Sequence, residues 1–306
     1  MKTKYLFIAG LALIMAAACN KNAQVAEKTD GMSSQEIVIA AEGEFGAEVT
    51  TKASEITLAE LASLKVSAMT STAYVGSFEN VTFTKGGDGK FKGEKYWPET
   101  DGGWSFVASN TTIEGTYAAP YISAANAGTD YLWGYATPSH KATTIDMTIN
   151  HAFAQVGTVT MRAPAGFTVT GCSVTIAPIT AGRCAVKDGT WSNLGAAGTP
   201  VYIFGGNATG VAVSSAAGGT TSDDNDLWLV PGTYTLTANY TITKGDFTKA
   251  YTKTATVALV QGKNNNIGLN GAGDPNIPDP GSDVKEINFT VTVTPWADLN
   301  VPADFS

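Results

Sequence analysis

The chain has 306 residues, with 19 Lys and Arg against 27 Asp and Glu, a formal net charge of −8 and only 15% charged residues. That balance excludes a protein that grips phosphate backbones, because no basic stripe exists to displace counterions, so nucleic acid is not an expected partner. Thirty-three Gly together with abundant Thr, Val, Ala and Tyr favour strands and turns.

The chain opens with Lys2 and Lys4, an apolar run from Tyr5 to Ala18, and Cys19, which is the layout of a secretory signal over residues 1–18. The run is too short to cross a bilayer. Ala16, Ala17 and Ala18 supply the small residues a signal peptidase needs, and a Cys directly after them is the lipoprotein form of the site, with Ala16 standing where bacterial lipoboxes usually carry Leu. The expected lipidation site is therefore Cys19, which would hold the exported chain at a membrane. Residues 19–35 are polar and without period, as a flexible tether is.

Next, residues 36–48 place Ile37, Ile39 and Ala41 on one face of a strand. Thr57 with Glu60 three residues on reads as the capping box of a one- or two-turn helix in TLAELASLKV. Strand signals then dominate: LKVSAMTS, AYVGSFENVTFTK, a Gly-rich hairpin turn at KGGDGKF, GGWSFVAS, DYLWGYAT, TIDMTI, VGTVTMRA, GCSVTIAP, PVYIFGG, LWLVPGTYTLTANYTI and KTATVALVQG. Short, evenly spaced strands joined by Gly, Asn and Asp turns predict β-sandwiches. A Pro, Gly and Asp linker begins near residue 273, and one strand follows it. In that strand Ile287, Phe289, Val291 and Val293 share one face, while Asn288, Thr290, Thr292 and Thr294 share the other.

No residue group in the sequence carries a catalytic or metal-binding motif. Asp223, Asp224 and Asp226 lack the oxygen spacing and closing Glu of a calcium loop, so a solvated turn is the favoured reading; neither a metal nor a cofactor is expected. The histidines are His140, in a loop, and His151, placed to face the interior, with no nucleophile motif around either. Trp97, Trp104, Trp133, Tyr117, Tyr121, Tyr131 and Tyr135 are either a sugar-stacking platform or the fillers of a core, and core filling is the more general use. Cys172 and Cys184 would face each other if GCSVTIAPITAGRC were a hairpin centred near Pro178; a disulfide and a pair of buried free thiols both stay open, since sequence does not give the Cα separation.

Four blocks, residues 96–109 (YWPETDGGWSFVAS), 149–161 (INHAFAQVGTVTM), 260–270 (VQGKNNNIGLN) and 287–301 (INFTVTVTPWADLNV), occur in the order seen in fimbrillins, the pilus subunits of Bacteroidia-type bacteria, and the chain resembles that family. The resemblance implies an all-β chain of two transthyretin-like Greek-key β-sandwich domains, with an N-terminal lipoprotein signal and a C-terminal donor-like strand. Its domains would be residues 36–144, with 36–52 as a removable first strand, and 145–272, followed by a linker and last strand over 273–306. It further implies that a trypsin-like protease cuts after Lys52, leaving Ala53 first, and that the opened groove accepts Ile287, Phe289, Val291 and Val293 from another subunit. The partners so implied are other pilus subunits, the outer membrane through the lipid on Cys19, and a host or bacterial surface ligand. A monomeric surface glycan-binding lipoprotein, a tip or anchor subunit, and a hydrolase with carboxylates paired only in space are the competing readings.

Overall fold

The computed structural model describes residues 32–42, 56, 59–76, 78–124, 129–163, 167–213, 220–223, 225, 227–270 and 293–294, and among them every regular element is a strand. In chain order these are β1 (Met32–Glu42), β2 (Ser63–Met69), β3 (Val81–Lys85), β4 (Phe91–Pro98), β5 (Ser105–Ser109), β6 (Glu114–Thr116), β7 (Ala119–Ala124), β8 (Leu132–Ala136), β9 (Ile145–His151) and β10 (Ala154–Arg162). They continue as β11 (Thr168–Ile176), β12 (Gly182–Ala185), β13 (Trp191–Ser192), β14 (Val201–Phe204), β15 (Val211–Val213) and β16 (Thr220–Asp223). The last are β17 (Leu227–Leu229), β18 (Gly232–Lys244), β19 (Phe247–Leu259), β20 (Asn264–Asn270) and β21 (Val293–Thr294).

Seven strands close into a ring in the order β1, β4, β3, β2, β5, β8, β9, with β9 returning to β1. A ring of this kind is a sandwich whose two layers join at their edges. Alternation along the strands fills it: Ile37, Ile39, Val66, Phe83, Phe91 and Phe106 all point inward with no exposure, around Trp97, Ile145 and Met147. Full burial of one such side chain contributes about 1.5 to 3 kcal/mol. The β3–β4 hairpin turns on the Gly-rich segment as its composition predicts. There the Gly86 N–H donates to Lys90 O (2.8 Å), Asp88 Oδ1 accepts from the Lys90 N–H (3.2 Å), and Gly89 takes a φ of 77°.

The second half is two sheets face to face. One orders β16, β10, β20 and β21, with β17 also on β10; the other orders β14, β11, β18 and β19, with β15 also on β11. Val156, Val159, Met161, Ile267 and Leu269 from the first meet Val174, Ile176, Leu236, Tyr240 and Val257 from the second in one buried cluster. The 13-residue strands β18 and β19 pair along their whole length. Away from the core, β18 presents Thr233, Thr235, Thr237, Asn239, Thr241 and Thr243. Their partners on β19 are Ala258, Thr256, Thr254, Thr252, Ala250 and Thr248.

A further sheet joins the halves. It orders β13, β12, β7 and β6, so β12 from the second half pairs with β7 from the first, with Cys184 opposite Ile122. Beneath it Val107, Ile113, Ile122 and Tyr131 pack with Phe153, Cys184, Val186 and Trp228.

Two expectations change. The helix read from TLAELASLKV is not formed among the described residues: Ala59 and Glu60 make a turn and Ser63 starts β2. The Lys85 N–H donates to Ala62 O (2.9 Å), so pairing with β3 overrides the local capping pattern, while Thr57 lies outside the described residues. GCSVTIAPITAGRC is not a hairpin either, because β11 pairs with β14, β15 and β18 whereas β12 pairs with β7 and β13. Cys172 and Cys184 are consequently free thiols buried in different clusters, and the disulfide drawn across that hairpin is not made. Strand β9 begins at Ile145, beside the boundary drawn at Thr144, and pairs with β8 and β1 in the first ring.

Candidate functional site

The strand that closes the ring is β1, the first among the described residues. β1 runs antiparallel to β4, with Glu36 opposite Tyr96 and Ile39 opposite Phe91, and parallel to β9, with Ile39 opposite Ile145 and Glu42 opposite Thr148. Ile37 and Ile39 enter the core between Phe91, Trp97, Ile145 and Met147. A polar clamp holds the start of the strand: Gln35 Nε2 donates to Lys141 O (2.6 Å) and to Ala142 O (3.1 Å), and Trp97 Nε1 donates to the same Ala142 O (3.2 Å). The sequence reading placed Ile37 and Ile39 correctly but missed Gln35, whose partners lie more than a hundred residues away and leave no local signal.

At the other end of the chain, Val293 and Thr294 pair antiparallel with Ile267 and Asn266 of β20. β20 is itself fixed by an asparagine run. Asn265 Nδ2 donates to Gln155 O (3.0 Å) and Lys263 O (2.8 Å), its Oδ1 accepts from the Val260 N–H (2.9 Å), and Asn266 Oδ1 accepts from the Thr158 N–H (2.9 Å). A Cβ at Gly157 would collide with the side chains of Asn264 and Asn266, so this glycine admits the run against β10. The blocks at 149–161 and 260–270 are thus two sides of one parallel pairing.

The other predicted residues divide clearly. Cys19, Lys52, Ala53, Ile287, Phe289, Val291, Asp224 and Asp226 lie outside the described residues, while Asp223 ends β16 opposite Val159. Trp97 is buried, and Trp104 packs on it at 6.3 Å between rings; Tyr131, Trp133 and Tyr117 pack on the cluster between the halves. Most of the aromatic set therefore fills cores rather than forming a platform. His140 sits in a turn with Nε2 3.0 Å from Pro98 O. His151 is buried, with Nδ1 donating to both Asp130 carboxylate oxygens (2.9 Å each), and the Ile56 N–H donates to Asp130 Oδ2 (3.1 Å). Sequence gave no sign of this arrangement, since Asp130 read only as the start of a strand.

Two sheet-built halves, the first completed by an N-terminal strand and the second lengthened by a C-terminal one, define an all-β protein of sandwich type. The profile of a family described as fimbrillin-like matches residues 33–296, and the chain belongs to that family. Membership makes it a structural, non-enzymatic protein of the exported cell surface that assembles with other pilus subunits. No curated protein matches the chain. Among solved structures it is similar to a candidate cell adhesion protein of Bacteroides eggerthii, at 12% identity and a TM-score of 0.37, covering 87% of this chain and 97% of that one. A candidate cell adhesion protein of Parabacteroides distasonis aligns at 9% identity and a TM-score of 0.44, covering 86% and 98%. A fimbrial protein of Bacteroides ovatus aligns at 10% identity and a TM-score of 0.32, covering 79% of this chain and 50% of its own length. The family assignment rests on the profile match.

Proposed function

We propose that the protein is a stalk-type pilus subunit, exported as a lipoprotein on Cys19, carried to the outer membrane and activated when a trypsin-like protease cuts after Lys52 so that Ala53 becomes the first residue. One observation carries this reading beyond family membership: β1 is the single link between β4 and β9 in the ring. Withdrawing it would leave two unsatisfied strand edges and a trough lined by Phe91, Trp97, Ile145 and Met147, which is a template for another strand.

The C-terminal segment is the proposed occupant. Ile287, Phe289, Val291 and Val293 of one subunit would lie where Ile37 and Ile39 lay in the next, contributing roughly 6 to 12 kcal/mol gross if all four bury fully. The net gain is smaller, because ordering the segment and fixing the subunits costs several kcal/mol. In the unassembled chain Val293 and Thr294 rest on β20, so this pairing would have to be released. A head-to-tail contact of this kind does not close on itself and makes a fibre.

The test is to determine the first residue of the protein recovered from cells and to cut the purified chain with a trypsin-like protease. Ala53 at the N-terminus and ladders on a gel are expected. A chain cut after Lys52 that stays monomeric at high concentration would refute the stalk assignment.

A further inference from the structure

The outward side of the sheet formed by β14, β11, β18 and β19 carries no charge at its paired positions. Twelve consecutive outward positions on β18 and β19 are Thr, Ala or Asn, and β11 continues the pattern with Thr168 and Thr170 opposite Thr243 and Thr241. The first ring is different, since its surface exposes Lys92, Glu94 and Asp146. In a chain of net charge −8, copies repel one another, and the contact that costs least joins uncharged surfaces.

The edge of the same sheet is guarded. Lys249 and Lys253 of β19 stand on the strand's other side, opposite Ile242 and Ala238, and lysines on an edge strand discourage another strand from adding there. The face has no such guard. With β18 and β19 each 13 residues long and β11 nine, about 3.3 Å per residue and about 4.8 Å per strand give a surface of about 550 Å². That approaches the ~800 Å² per partner of a standard protein interface. Threonine methyls and hydroxyls on two such planes can interdigitate as the inner faces of a sandwich do.

We propose that this threonine face packs against the same face of a second copy of the chain, about a two-fold axis, joining subunits side by side. The contact is lateral and separate from the end-to-end exchange proposed above, and it needs no proteolysis.

The experiment compares the full-length chain with Thr235→Glu/Thr254→Glu and Thr235→Lys/Thr254→Lys by sedimentation equilibrium in density-matched detergent. Both positions are exposed. Wild type should dimerise, each double variant should associate about tenfold more weakly or worse, and an equimolar mixture of the two should recover association. Thr84→Glu, on exposed β3 of the ring, should leave association unchanged. A misfolded variant cannot produce the recovery on mixing. A wild type that stays monomeric at every concentration, variants that associate as wild type does, or a mixture no better than its components would each overturn the proposal. The monomeric result would leave the face to another kind of partner. Because uncut chain is used, these outcomes do not depend on whether Lys52 is cleaved.

Discussion

Asp130 and His151 meet 2.9 Å apart with 0% and 2% of their side chains exposed, where the ring meets the second half. His151 lies against Trp228 of β17 at 6.2 Å between rings, and Asn110 Nδ2 donates to Asp130 O (2.7 Å). The carboxylate also accepts the backbone N–H of Ile56, so two distant stretches, at Ile56 and His151, converge on one side chain. Removing one partner of a buried hydrogen-bonded pair leaves the other unsatisfied, at a cost of about 1 to 3 kcal/mol and more for a carboxylate. Asp130→Ala should therefore lower the urea midpoint by an amount equivalent to about 3 kcal/mol. A double-mutant cycle with His151→Ala should return a coupling of about 1 kcal/mol or more; additive losses would show that the contact does not matter.

The buried cysteines should be chemically silent in the folded protein. Burial pushes the Cys172 thiol up to about 12, and burial aided by the Asp188 charge pushes Cys184 up to about 12. Thiolate is the reactive form, so at pH 8 its population falls about a thousandfold relative to a free cysteine. Intact mass after alkylation should show Cys172 and Cys184 unmodified until denaturant is added. The sign for stability follows: folded thiols that hold their protons more tightly than unfolded ones stabilise fully below pH 9, and that contribution is lost as pH rises towards 12. Tyr234, also pushed up to about 12 by burial, adds a loss over pH 10 to 12. Stability flat across that range would contradict both.

Much of this fold was legible because a strand writes its buried face every second residue. TIDMTI became β9 with Ile145, Met147 and Ile149 inward, and TYTLTANYTI became β18 with Tyr234, Leu236, Ala238, Tyr240 and Ile242 inward. What did not show was non-local. Parallel closure of β1 on β9 joins residues about a hundred positions apart, and neither strand marks which neighbour it will take. The sheet between the halves is made of strands of two to six residues, among them the fully exposed Glu114–Thr116, too short to have a period. A capping box and a hairpin-like cysteine spacing are local rules, and both yielded to distant partners. The same limit hid Gln35 and Asp130.

Trimming the core contacts of β1 should loosen the strand before it unfolds the rest. Ile39 has no exposure, and large-to-small changes at such sites cost about 2 to 5 kcal/mol. In Ile39→Ala the amides of residues 36–42 should exchange with deuterium faster than those of β2 or β5, because the loss falls on the one strand that links β4 to β9. Ile37→Ala should act alike. Uniform acceleration across the ring would mean that β1 is not a separately removable unit.

The packing between the halves predicts how the whole molecule melts. Phe153 has no exposure and sits 5.7 Å from the Tyr131 ring of the first half and 5.1 Å from the Trp191 ring of the second. Beside it β7 and β12 exchange backbone hydrogen bonds, and the Arg183 guanidinium lies 4.4 Å over the Tyr121 ring. With this cluster intact, unfolding one half exposes apolar surface of the other, so calorimetry should record a single transition. Phe153→Ala removes the ring that both halves share, at about 3 to 5 kcal/mol. Its thermogram should split into two transitions, with the second half's sandwich melting apart from the ring. A single transition merely shifted to lower temperature would show that the sheet of β6, β7, β12 and β13 suffices to couple the halves.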